Sequence, residues 1–294
     1  MEDKSIKIKK SELILNPDGS IYHLQLRPEN IAHKIITVGN PDRVEQVSKH
    51  FDSIDFKKQN REFKTHTGRI GKKPISVIST GIGADNIDIV LNELDALVNI
   101  DFKERVVKNS LISLEIVRIG TSGAIQNYIE LDSIILSSYG LDLSGLLKYY
   151  QFNNNFDIKS ENYHDITIDL GGDFSKTLMV GNCRKLEKKL FDVNIQRGIT
   201  ATCAGFYGPQ GRQLRLIQKN SMFLEKFKKF NYEDLKITNF EMETAAIYGL
   251  SKLLGHKACS LNAILANRIK GTYSKNPEKA INKLIKHTLT KLIV

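Results

Sequence analysis

The sequence has no tryptophan, three cysteines and six prolines in 294 residues. Cys183, Cys203 and Cys259 are odd in number, far apart and without C-x-x-C spacing. That excludes a disulfide framework and a cysteine zinc site, and the three read as reduced core thiols. No apolar stretch approaches the roughly 18 uninterrupted residues of a membrane-spanning helix. The opening MEDKSIKIKKSELILN lacks the apolar centre of a secretory signal. These absences predict a cytoplasmic protein with no membrane partner. Glycine and proline are not enriched, which excludes collagenous and low-complexity chains.

A block of one charge sign is missing too. The formal charge is +10, yet 43 basic residues are interspersed with 33 acidic ones. Neither a helix-turn-helix nor a base-stacking platform accompanies them, so the charge describes a lysine-rich solvated surface and no nucleic-acid partner.

What is present is core material. At 41% hydrophobic content the chain can bury one large core, and residues 1–294 are expected to form a single domain. Short β-branched runs ending in glycine recur: IITVG (Ile35 to Gly39), PISVISTGIG (Pro74 to Gly83) and EIVRIGTSGAI (Glu115 to Ile125). They read as buried strands followed by tight turns. Asn86 to Val98, Arg184 to Phe191, Met242 to Leu254 and Pro277 to Leu292 carry apolar residues at helical spacing. The alternation predicts an α/β fold, a mostly parallel or mixed sheet covered by helices. Tyr149 to Asp165 is polar, asparagine-rich and aperiodic, and reads as a surface excursion or lid.

Ligands of such sheets bind beyond strand ends, where backbone N–H groups open toward solvent. In GNPDR, Gly39 permits a tight turn, Pro41 suits the first turn of a helix, and Arg43 then lies near that helix's positive end. This is an anion cradle, or a plain strand-turn-helix cap in which Asp42 complements the dipole and Arg43 is solvated, the reading that the segment taken alone favours. In RIGTSGAI, Arg118 sits inside an apolar strand and needs an anionic partner, because an unpaired buried charge is very costly. Glu115 lies on the opposite strand face, so a ligand anion or a distant carboxylate must supply it. The Thr121 hydroxyl and neighbouring N–H groups would complete a phosphate shell. STGIG lacks the third glycine of a dinucleotide fingerprint, and a nicotinamide site is rejected.

Together GNPDR, NREF, STGIG, RIGTSGAI, FYGPQGR, FEMETAA and ANR occur in an order and spacing that resembles the nucleoside phosphorylase family, its uridine-cleaving members in particular. The resemblance runs from about Ile21 to the C-terminal helix. It implies a single α/β domain with a distorted mixed central sheet flanked by helices. It also implies a reaction in which inorganic phosphate displaces the base from C1′ of a nucleoside. On the family pattern Gly39, Arg43, Arg118 and Thr121 hold phosphate, and Arg61 of NREF reaches the phosphate of a neighbouring subunit. Met242 and Glu243 lie beside the ribose with Glu241 nearby; read alone, the two glutamates also suit the first turn of a helix. His23 resembles the histidine offered to the 5′-hydroxyl across a subunit interface. These shared residues imply a homo-oligomer, at least a dimer, and the family a trimer of dimers.

FYGPQGR resembles the base-recognition loop, with Phe206 stacking on the base and Gln210 and Arg212 bonding its edge. Departing uracil carries negative charge on its carbonyl oxygens, which fixed donors would stabilise as an oxyanion hole does. Purine-cleaving relatives place an aspartate where ILANRIKG carries Asn267, and an amide cannot protonate a purine. Arg268 pairs with a loop near the site or is solvated. No metal site or cofactor is expected, and phosphate is the co-substrate. Some relatives bind a monovalent cation; Glu62 fits that pattern, Asn86 departs from it, and the ion stays open. Proline before glutamine in GPQGR is a second departure. A purine nucleoside phosphorylase and a hydrolytic nucleosidase of the same fold are the alternatives.

Overall fold

The computed structural model of the chain describes residues 6–151, 166–168, 176–219 and 223–293. The strands are β1 (Lys34–Val38), β2 (Ser53–Asn60), β3 (Phe63–Ile70), β4 (Lys73–Ser79), β5 (Ile100–Asp101), β6 (Val106–Val107), β7 (Glu115–Ala124), β8 (Ile134–Leu143), β9 (Ile166–Ile168), β10 (Thr177–Gly181), β11 (Gln196–Cys203), β12 (Asn231–Tyr232), β13 (Leu235–Glu241), β14 (Lys257–Asn267) and β15 (Thr272–Tyr273). The helices are α1 (Pro41–Ser48), α2 (Ala84–Asn99), α3 (Arg184–Leu190), α4 (Phe223–Lys229), α5 (Thr244–Leu253) and α6 (Pro277–Ile293). Most of the segment expected to be a lid, residues 152–165, lies outside the described residues.

Among the described residues 13 strands join one mixed sheet, in the order β12-β13-β11-β8-β14-β7-β1-β4-β3-β2. β1 and β7 alternate their side chains between two faces, and both faces are covered, so the strands read as unbroken apolar runs. Ile35 and Ile116 pack against Ile87 and Leu91 of α2 and Ile247 of α5. Ile36 and Val117 pack with Val44 of α1, Leu186 of α3 and Leu284 of α6. Each such fully buried side chain contributes about 1.5–3 kcal/mol of transfer free energy.

The sheet does more than the periodicity predicts, because it closes on itself. β13 pairs with β11 on one side and antiparallel with β7 on the other, Asn239 facing Ala124 and Phe240 facing Gly123. β7, β14, β8, β11 and β13 thereby form a five-stranded barrel. Register shifts in β11 and β14 bend those strands enough to close it. α5 lies close against the barrel, since a Cβ on Gly140 would stand 2.7 Å from the Ala245 Cα. No described helix is long and apolar enough to cross a membrane, and the three cysteines are buried and unpaired.

Candidate active site

The ends of β1, β4, β7, β13 and β14 surround a cleft of about 710 Å³. Gly39 carries the chain from β1 into α1, where a Cβ would stand 3.4 Å from the Gly81 carbonyl oxygen. Asn40 caps α1 by accepting from the Asp42 N–H at 2.9 Å. One turn in, Arg43 reaches back to donate to the Ile119 carbonyl at 3.3 Å. Burial, and after it the nearby charge of Arg118, pushes the Arg43 guanidinium down to about 10, with Glu243 opposing. Thr121 and Ser122, both half-buried, line the wall beside it.

The partner that Arg118 requires is a pair of distant carboxylates. Its Nη2 donates to Glu243 Oε2 and lies 3.2 Å from Glu241 Oε2, and its Nη1 donates to Asn262 Oδ1 at 2.7 Å. Burial works against its charge, but Glu241 and Glu243 outweigh burial and hold the guanidinium above its ordinary range. Gly120 leaves room for this: a Cβ there would stand 1.7 Å from Arg118 Nη1.

The two glutamates take different parts. Glu241 Oε2 accepts from the backbone N–H groups of Glu243 and Thr244, each at 2.9 Å, which caps the N-terminus of α5. Its Oε1 accepts from Thr202 Oγ1 at 2.6 Å. Glu243 holds Arg118 with one oxygen and accepts from the Gly83 N–H at 2.8 Å with the other. Gly83, at φ 104, and Gly81, at φ 72, shape the STGIG turn that makes this contact. That turn therefore anchors a carboxylate, a use its sequence did not announce. Burial and the neighbouring Glu241 charge raise the Glu243 carboxyl, against Arg118 and the Gly83 N–H.

Phe206, Gln210 and Arg212 also line the cleft. Arg212 lies over the Phe206 ring, 3.8 Å from its centroid, and Nη1 donates to the Phe206 carbonyl at 2.8 Å and to Gln210 Oε1 at 2.5 Å. Gly211, at φ 69, turns the chain between them. Arg268 clamps the loop, donating to the carbonyls of Gln210 at 2.8 Å and Gly211 at 3.1 Å. Burial, then the Arg268 charge, pushes Arg212 down to about 10.

Of the residues singled out from sequence, Gly39, Arg43, Arg118, Thr121, Phe206, Gln210, Arg212, Glu241, Met242 and Glu243 share this one cleft. His23 and Arg61 do not. His23 Nδ1 is 2.6 Å from Glu93 Oε1, and Arg61 is an exposed residue at φ 53 in the β2–β3 turn. Glu62 and Asn86 line the cleft beside Gly81. The Asn86 amide donates to the Ile82 carbonyl at 3.4 Å. Asn267 is consumed by its own turn: it donates to the carbonyls of Gln126 and Ile129 and accepts from the N–H groups of Ile269 and Lys270. Sequence reasoning missed Phe240, Leu265, Ala266 and Tyr273 as walls, and Asn262 and Thr202 as supports. Polar residues inside otherwise apolar strands, LNAIL and ITATC, were the available signal for the last two.

The profile of the phosphorylase superfamily matches residues 33–292. The uridine phosphorylase of Thermococcus kodakarensis is 30% identical over 276 residues, 93% of this chain and 87% of the relative. That of Haemophilus influenzae is 26% identical over 275 residues, 91% and 96% of the two chains. The solved structure of a Trypanosoma brucei nucleoside phosphorylase, described as showing uridine phosphorylase activity, superposes with a TM-score of 0.81 at 26% identity and covers 96% of this chain and 99% of its own. The chain belongs to the phosphorylase superfamily, as an enzyme of its pentosyl-transferring nucleoside phosphorylases.

Proposed function

We propose that the chain cleaves uridine by phosphorolysis, giving uracil and ribose 1-phosphate. The observation that carries this reading is that one cleft gathers Arg43 and Arg118, Met242 and Glu243, and Phe206, Gln210 and Arg212 of the FYGPQGR loop. The names and described activity of the relatives above support it.

In this reading Gly39, Arg43, Arg118 and Thr121 bind inorganic phosphate, the co-substrate. Met242 packs on the ribose, the Glu243 carboxylate accepts from its hydroxyls, and Glu241 holds the helix that carries them. A phosphate oxygen attacks C1′ as the glycosidic bond breaks, and the bonding pair leaves with the base. Phosphate is already an anion at neutral pH, so the protein acts by positioning and electrostatics and needs no general base. Gln210 and Arg212 stabilise the charge gathering on the uracil oxygens. Cleft-lining carboxylates among the described residues are confined to Glu62, Glu241 and Glu243, none on the base loop, which favours a pyrimidine over a purine that needs a proton. His23 and Arg61, which do not line their own chain's cleft, serve a neighbouring subunit in a homo-oligomer, a trimer of dimers. The enzyme works in the cytoplasm in nucleoside salvage or breakdown, without a cofactor.

The test compares uridine and inosine in phosphorolysis. Preference for uridine supports the reading, and inosine preferred by a wide margin replaces it with a purine nucleoside phosphorylase.

A further inference from the structure

The five strands of the barrel turn polar side chains inward, and their hydrogen bonds run in one direction. Arg118 has only N–H groups to give, so the oxygen of Asn262 must face it, 2.7 Å from Nη1. That orientation aims Asn262 Nδ2 at Ser137 Oγ, 3.4 Å away. Ser137 Oγ lies 2.6 Å from Thr200 Oγ1, which lies 3.0 Å from Asn239 Oδ1. A hydroxyl has one hydrogen and Asn239 Oδ1 can only accept, so Thr200 donates to Asn239 and Ser137 in turn donates to Thr200. Asn239 Nδ2 then donates to Ser122 Oγ at 3.0 Å. Ser122 is left with its own hydrogen free to enter the cleft whose wall it forms. Asn262, Ser137, Thr200 and Asn239 are all 0% exposed, so bulk water does not compete for these groups.

We propose that Asn262 is a positioning residue. It holds the Arg118 guanidinium where an oxyanion of the phosphate class meets it, and it starts the hydrogen-bonded chain that ends on Ser122, a donor to an acceptor oxygen of the substrate. The inference rests on the phosphorolytic reading. Asn262 itself does not line the cleft; it acts through Arg118. Gly120 supports the assignment independently, since a Cβ there would stand 2.6 Å from Asn262 Oδ1 as well as against the guanidinium.

The experiment titrates inorganic phosphate calorimetrically into the wild-type chain, Asn262→Ala and Asn262→Ser, and measures KM for phosphate and for uridine alongside kcat. Loss of one hydrogen bond to a charged group predicts roughly tenfold weaker phosphate binding in Asn262→Ala. KM for phosphate should rise by a similar factor, kcat should change less, and the serine hydroxyl should restore part of the loss. A folded Asn262→Ala that binds phosphate as tightly as wild type overturns the inference. So does an equal fall in every parameter, which is what a packing defect produces. If the alanine variant does not fold, Asn262→Ser and Ser122→Ala carry the test: unchanged KM for both substrates in both variants overturns it. A wild-type chain that binds no phosphate contradicts the phosphorolytic reading itself, an outcome separate from any difference among variants.

Discussion

Glu243 and Arg118 meet in the floor of the cleft, both almost wholly buried, and join the strand that ends at the anion site to the first turn of α5. The same carboxylate also accepts from the Gly83 N–H, so three segments far apart in sequence converge on one side chain. The group assigned to phosphate and the group assigned to ribose are therefore one electrostatic unit.

Replacing Glu243 with glutamine separates their functions. It removes the charge-assisted contact to ribose proposed above, worth about 1.5–3 kcal/mol, so kcat/KM for uridine should fall roughly ten- to hundredfold. It also relieves Arg118 of a competing anion. Phosphate affinity, measured by calorimetry, should stay at the wild-type level or improve. Weaker phosphate binding in Glu243→Gln would show that the pair does not compete with phosphate.

Arg118→Ala has the opposite signature. It leaves Glu241 and Glu243 buried without their cation and removes the proposed phosphate ligand, so KM for phosphate should rise tenfold or more, roughly the cost of one charged hydrogen bond. Wild-type phosphate kinetics in this variant would contradict the assignment.

The two ends of the pH range follow from the same groups. The Glu243 carboxyl is raised by burial and by Glu241, so it takes up a proton above the ordinary glutamate value of about 4.3. As pH falls into that window the folded state gains stability from Glu243 while the enzyme loses its ribose acceptor, and kcat/KM for uridine declines. The acid limb should vanish in Glu243→Gln. At the other end Arg43 is depressed to about 10. Calorimetric phosphate affinity should hold from neutral pH and weaken as pH rises toward that value, and Arg43→Ala should lack the change.

Thr202 donates to Glu241 and accepts from the Ala245 N–H at 2.8 Å, so one hydroxyl ties β11 to the cap of α5. Thr202→Val keeps the shape and leaves both partners unsatisfied, which should lower stability by about 1–3 kcal/mol in denaturant unfolding. An unchanged midpoint would mean the cap holds without it.

Arg268→Ala frees the carbonyls of Gln210 and Gly211 and loosens the base loop. KM for uridine should rise while phosphate affinity stays constant. Equal effects on both substrates would argue that Arg268 supports the whole cleft.

Much of this was legible in the residues. IITV and EIVRI read as buried strands because both faces of β1 and β7 are covered, and Arg118 stood out as a charge inside one of them. Its partners did not, because Glu241 and Glu243 lie 123 and 125 residues farther along the chain and meet it only once the barrel closes. That closure depends on register shifts in β11 and β14, which leave no periodic trace. Pro74 to Gly83 reads as a buried strand followed by a tight turn, and β4 ends at Ser79 with Gly81 and Gly83 at positive φ. Asn267 draws notice as a replaced acid, but its side chain is spent on a turn.

The most direct test incubates the purified protein with uridine, with and without inorganic phosphate, and follows free uracil. Release that depends on phosphate is the predicted result. Release at an undiminished rate in phosphate-free buffer would make the enzyme a hydrolytic nucleosidase and contradict the account.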